Sequence, residues 1–235
     1  MQINIRHIIY TLFAIMLFSC TTDRSEHIET GDLLFQDLDC GELCDAIESV
    51  TQGVDGAQLS HIGIAVKDSV GNVYVIEAYG THVVKTPLDK FLNRSYDKDG
   101  NPKVIVGRVK EEYTDLMYLA TNEAEKLIGT RYDDAFLINN NSMYCSELVF
   151  YSYLMANQGV PVFQLQPMTF KPLNDTLFFP AWVKYYKNLK CDIPEGKPGI
   201  NPGSISRSNY INIIYTFGYP AGYKPASVNK QMTGK

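Results

Sequence analysis

Cys145 opens a run, Cys145 to Asn157, that reads as a helix closed by Gly159-Val-Pro161. A cysteine at a helix N-terminus sits among unpaired backbone N–H groups, at the positive end of the helix dipole. That setting favours the thiolate, which is the reactive form of the thiol. The same N–H groups could hold the oxyanion of a tetrahedral intermediate. Without a base in reach, such a cysteine is an apolar filler of the core. The chain has four histidines: His7 and His27 near its start, then His61 and His82. His61 begins the alternating run Ser60-His-Ile-Gly-Ile-Ala-Val66, whereas His82 lies in a loop-like Gly80-Thr-His82 segment. Glu77 interrupts the apolar run Tyr74-Val-Ile-Glu-Ala-Tyr79. A carboxylate there must be solvated at a sheet edge or partnered. Hydrogen-bonded to the second nitrogen of an imidazole, it would fix the tautomer and stabilise the imidazolium. Cys145, His61 and Glu77 together would perform acyl transfer through a thiolate.

A base on an early strand and a thiol on a late helix require a sheet and helices to join them. Gly31 to Phe35 reads as a strand and Asp45 to Val50 as a short helix. Ser60–Val66 and Val73–Ala78 are strands linked by a hairpin turn at Asp68–Asn72, and Val83 and Val84 continue after a turn at Gly80 and Thr81. Asn93 to Pro102 is a polar loop, and Lys103 to Val109 another strand. Glu112 to Ile128 has helical periodicity, with Leu116, Leu119, Ala120, Ala124, Leu127 and Ile128 on one face and Gly129 as its stop. Val160 to Lys190, with Trp182, reads as an insertion that shapes a pocket. Pro194 to Ser208 is rich in Pro, Gly and Ser and reads as loop, and Tyr210 to Phe217 is a last strand. Helices and strands are partly segregated, which makes the fold class α+β.

The first twenty residues carry a basic Arg6 and an apolar run from Ile8 to Phe18. That run is too short to span a bilayer and fits the core of an export signal. It stops at Leu17-Phe18-Ser19-Cys20, which resembles a bacterial lipobox, with Cys20 as the lipidated residue. Residues 21–30 then serve as a tether, 31–220 as the domain, and 221–235 as a C-terminal tail. Lipid chains on Cys20 would anchor the protein to a membrane without spanning it. Thr21 rather than Asp after the cysteine favours the outer membrane. The expected address is therefore the cell envelope. Export implies an oxidising compartment, so the remaining cysteines could pair. Cys40 and Cys44 either form a local disulfide or stay as packed thiols, and Cys191 is left unpaired if Cys145 is free. No Cys or His spacing suits a metal, and a net charge of -5 gives no footprint for nucleic acid.

Three pieces stand in a telling order: Gly31-Asp-Leu-Leu-Phe35, Ser60-His-Ile-Gly-Ile64 and Tyr144-Cys-Ser-Glu-Leu-Val149. With Val75-Ile-Glu-Ala78 and Gly129-Thr-Arg-Tyr-Asp-Asp-Ala-Phe136, they resemble the YiiX/YebB-like branch of the NlpC-type, papain-like cysteine hydrolases. That branch is circularly permuted, with its histidine before its cysteine. The resemblance covers about residues 30–210. It implies a small antiparallel sheet packed on helices, with Cys145 as nucleophile, His61 as base, Glu77 as the third polar group and Tyr132 as an active-site tyrosine. It implies cleavage at an amide or ester carbonyl through an acyl-enzyme, with no cofactor. A cell-wall or related peptide is the leading substrate. Acyl thioesters or esters of lipid-like molecules are the second reading, and a lipid-anchored binding module without catalysis is the third. An apolar lining would favour the acyl substrate, and a polar or acidic subsite for a free amine would favour the peptide.

Overall fold

The computed structural model describes residues 25–172 and 175–225. The export signal, Cys20 and the last ten residues of the tail lie outside the described residues. Packing begins at Ile28, which is fully buried, inside the stretch expected as tether. At the other end, the Ala221 N–H donates to Asp37 at 2.7 Å, so the tail's first residues are also docked.

The strands are β1 (Leu33–Gln36), β2 (His61–Lys67), β3 (Val73–Tyr79), β4 (His82–Pro87), β5 (Val104–Val109) and later β8 (Ile211–Thr216). They form one six-stranded sheet in the order β4-β3-β2-β1-β5-β8, antiparallel throughout. The helices are α1 (Glu42–Val50), α2 (Leu88–Leu92), α3 (Thr114–Lys126), α4 (Cys145–Ala156), α5 (Pro180–Leu189) and α6 (Pro202–Ser206). Two short strands, β6 (Gln166–Pro167) and β7 (Pro198–Gly199), pair apart from the main sheet. The class is α+β, as expected.

Side chains alternate across a strand, so each face of the sheet collects its own core. Phe35, Ile62, Ile64 and Ile76 meet α3 and α4 through Met117, Ala120, Leu148 and Tyr153. On the opposite face, Leu34, Ala65, Val75 and Val106 meet α2 through Leu88, Phe91 and Leu92. A third cluster joins α1 to α5 through Ala46, Phe170, Trp182 and Tyr186.

Two sequence expectations change in the structure, and one helix appears where the sequence reading named no element. The buried side of α3 is Met117, Ala120, Thr121 and Ala124, while Leu119 and Ile128 are exposed. The two faces overlap at the alanines, and the small buried side chains let α3 lie close on α4. The stretch from Asn93 is preceded by α2, a five-residue helix hidden behind Pro87. Pro194–Ser208 is not all loop. Asn201 caps α6 by accepting the Ser204 N–H at 2.7 Å, with the Ser204 hydroxyl reciprocating in a capping box. Cys40 and Cys44 are joined as a disulfide at the start of α1, and Cys191 is free and exposed. No helix among the described residues is long and apolar enough to cross a membrane.

Candidate active site

Parity along β2 and β3 sets the first half of the site. His61 is the first residue of β2, and Ile64 pairs with Ile76 on β3. Glu77 therefore falls on the same face as His61, diagonally across the two strands. Gly63 lies between them. A Cβ there would stand 2.3 Å from Val75 Cγ1 and 3.2 Å from Glu77 Cβ, so only glycine lets the two strands close with Glu77 lying flat. The His61 Nε2 and Glu77 Oε2 atoms are 2.6 Å apart, and both residues are buried.

The second half comes from α4. Cys145 is its first residue, its sulfur lies 3.8 Å from the Ser146 hydroxyl, and the His61 imidazole acts on it electrostatically. With Nε2 engaged by Glu77, Nδ1 is the imidazole nitrogen left for the thiol. Burial alone raises the Cys145 pKa, but the His61 contact outweighs it and holds the thiol below its usual range. Burial would lower the His61 pKa, yet its bonds to Cys145 and Glu77 lift it to about 9. Both shifts favour one resting state, a thiolate beside an imidazolium.

α4 is also held at its tip by Glu147, its third residue. The carboxylate accepts the Asn139 N–H at 3.3 Å, tying the helix start to the preceding loop. Burial lifts the Glu147 pKa to about 7.

Arg94 is the part of the site that the sequence reading missed. It follows α2, and its guanidinium makes two bonds to Glu77, Nη1 to Oε2 at 2.7 Å and Nη2 to Oε1 at 2.6 Å. It also lies over the Tyr79 ring at 3.7 Å. Burial would raise the Glu77 pKa, but Arg94 and His61 together bring it down to about 2. A charge-bearing side chain inside an apolar strand demands a counter-charge. That demand, with Arg94 in the next polar segment, was the available signal.

Tyr132 stands on the wall beside Cys145. Its segment runs along the edge of β4, with the Val83 N–H donating to Thr130 at 2.8 Å and the Tyr132 N–H to Thr81 at 2.9 Å. Burial and the nearby Cys145 charge push its phenol well above the usual range, so it stays protonated. His82, the other candidate base, is exposed and bonds the Thr81 hydroxyl at 2.8 Å. The structure thus unites Cys145, His61, Glu77 and Tyr132 and leaves His82 outside.

The thiol opens onto a cleft of about 210 Å³. One wall is apolar, from Ile47 and Val50 of α1 with Phe170 and Trp182. The expectation that the 160–190 stretch shapes the pocket agrees with the presence of Phe170 and Trp182 there. Among the described residues that line the cleft there is no Asp or Glu.

The ion pair predicts a pH profile. The thiolate forms as pH rises through the lowered Cys145 value, and the imidazolium is lost as pH rises through about 9. Hydrolysis should therefore rise on the acid side well below the ordinary thiol range and fall near pH 9. Initial rates across pH 4 to 10 check this. A single rise near the ordinary thiol value, with no alkaline fall, would contradict the ion pair.

No protein among those with curated descriptions matches the chain. Among solved structures, one described as the metalloprotein YiiX from Escherichia coli O157:H7 matches with a TM-score of 0.66 at 24% identity. The match covers 83% of this chain and 99% of that one, and it shows the shared fold. Among the described residues, no three His, Cys, Asp or Glu side chains gather in a way that could hold a metal ion. The family described as permuted papain-like amidase enzymes, YaeF/YiiX, C92 family, matches residues 27–215. Carrying that match over most of its length, the chain belongs to this family of permuted papain-like amidases, and it is a cysteine hydrolase.

Proposed function

We propose that this chain is a cell-envelope amidase that works through an acyl-enzyme on Cys145. The observation that carries this reading is the buried series Cys145–His61–Glu77, with the thiol's pKa lowered and the imidazole's raised, open to a cleft. Cys145 sulfur attacks the amide carbonyl, and unpaired N–H groups at the start of α4 hold the oxyanion. His61 gives its proton to the leaving amine and then takes one from water, which releases the acid. Glu77 keeps the imidazole in the correct tautomer, and Tyr132 walls the reacting carbon with a protonated phenol. The export signal and Cys20 supply the envelope address and the lipid anchor.

The cleft narrows the substrate. Its described lining has no carboxylate to receive a free amine end, and its α1–α5 wall is apolar. A cell-wall or related peptide would therefore place an apolar side chain, not a free amino terminus, against Trp182. The same wall favours a second reading, acyl esters or thioesters of lipid-like molecules. A binding module without catalysis fits less well, because such a module has no use for an ionised thiol.

Incubation with peptidoglycan fragments, N-acyl amides and acyl thioesters, followed by mass spectrometry, tests this. The wild type should release an amine from at least one amide, and Cys145→Ala should release none. Turnover of thioesters alone would move the assignment to the second reading. Equal release by both proteins would remove it.

A further inference from the structure

Among the described residues that line the cleft beside Cys145, Arg207 is the one with a charged side chain apart from the thiolate. Arg207 shares that lining with the polar residues Asn201 and Ser204. It also lines a second cleft of about 640 Å³, which shares Gln166, Ile200 and Ser204 with the first. Arg207 thus stands where the two clefts adjoin, and the first of them also holds the thiol. Among the described residues, Lys110 and Glu112 also line that second cleft.

Arg207 stands on a fixed base with a free head. It follows α6, which packs backbone to backbone against the end of α1. A Cβ on Gly203 would come within 2.1 Å of the Thr51 carbonyl oxygen. The Ser206 hydroxyl donates to the Gly203 carbonyl at 2.8 Å and accepts the Val54 N–H at 3.0 Å. Ile205 and Ser206 are buried, whereas Arg207 itself is exposed. Its guanidinium has no ion-pair or hydrogen-bond partner among the described residues. The other arginine near the reaction centre, Arg94, is fully engaged by Glu77.

We propose that Arg207 binds a carboxylate on the substrate, so that the enzyme selects amides with a free acid group beyond the scissile bond. The planar guanidinium matches a carboxylate through two parallel N–H···O bonds. Cys145 and Arg207 line the same cleft of about 210 Å³, so one bound substrate can meet both. The protein as a whole carries a net charge of -5, so an anionic substrate is held by this local cation and not by the overall field. The substrate class is therefore an acyl amino acid or a peptide ending in a free carboxylate. This inference rests on Cys145 as the nucleophile.

The test uses two probes that differ only in charge, bromoacetyl-glycine and bromoacetyl-glycinamide. In each, the thiolate forms a C–S bond and bromide leaves. Alkylation of Cys145 is followed by mass spectrometry in wild type, Arg207→Gln and Arg207→Lys. The wild type should prefer the acid by about tenfold, as a partly exposed charged hydrogen bond allows. Arg207→Gln should bring the ratio close to that of a cation-free site, and Arg207→Lys, which keeps the charge but not the fork, should keep part of the preference. His61 acts on both probes in all three proteins, so the change in ratio isolates Arg207. An unchanged ratio in Arg207→Gln, with Cys145 still reactive, overturns the carboxylate site alone. Failure of Cys145 to react faster than Cys191 with either probe overturns the nucleophile instead.

Discussion

His61→Ala should cut turnover by about 10⁴-fold or more, as loss of the partner does for other paired nucleophiles. Three functions leave together: the charge that keeps sulfur ionised, the acid for the leaving amine, and the base for water. Without His61, the buried Cys145 loses the contact that offsets its desolvation. Its pKa would then rise past the ordinary value, leaving at most a few per cent thiolate at neutral pH. The effects of residues that act as a unit do not add. Cys145→Ala, His61→Ala and the double variant should therefore show the same residual rate within a few-fold. Steady-state turnover on the best amide checks the cycle, and iodoacetamide labelling checks the thiol separately. Labelling of His61→Ala at the wild-type rate at pH 7 would show that the sulfur is not ionised by the imidazole.

Glu77→Gln should damage both stability and rate. Glu77 is fully buried and holds two positive partners, His61 and Arg94, whose side chain is only 14% exposed. Removing the carboxylate charge leaves a buried guanidinium without its counter-ion, which costs about 3–5 kcal/mol. The loss should also lower turnover by about 10²- to 10⁴-fold, because the imidazole is no longer held in one tautomer. Urea denaturation and kcat give the two readings. The sign with pH follows from the carboxylate. Its folded pKa, about 2, lies below its ordinary value of 4.5. Its stabilisation is complete above the ordinary value and is lost as pH falls through about 2. The stability gap between wild type and Glu77→Gln should thus close as pH drops from 5 toward 2. Adding Arg94→Met to Glu77→Gln should restore part of the stability but none of the rate. A Glu77→Gln protein as stable as wild type at pH 7 would mean that the network is not held by charge.

The strands that build the site were legible because their periodicity is local. Ser60–Val66 and Val73–Ala78 alternate cleanly, and a turn around Gly71 leaves little choice but a hairpin. That placed His61 and Glu77 on neighbouring strands before any coordinates. The face of α3 was harder to read. Leucines at 116 and 119 suggest one stripe, yet the close approach of α4 selects smaller side chains around Met117 and Ala120. Tertiary packing overrode the simplest amphipathic pattern. α6 was hidden by composition, since Asn201-Pro-Gly-Ser204 looks like loop until its capping bonds are seen. Arg94 has no local signature at all. It belongs to the site only because the sheet carries Glu77 to it, a contact between residues 17 apart in sequence. Tyr132 was found only through the family likeness, because nothing in its own neighbours marks it.

The reaction centre is divisible. The imidazole, its carboxylate and the guanidinium all lie between His61 and Arg94, whereas the thiol comes later, beyond an exposed bend at Lys98–Asn101. A cut in that bend would yield a base-bearing fragment and a thiol-bearing fragment, each inert alone. The β1–β5 ladder and the packing of α4 against β2 join the two pieces. Hydrolysis would return only when the fragments found one another, which makes this permuted chain a natural split reporter.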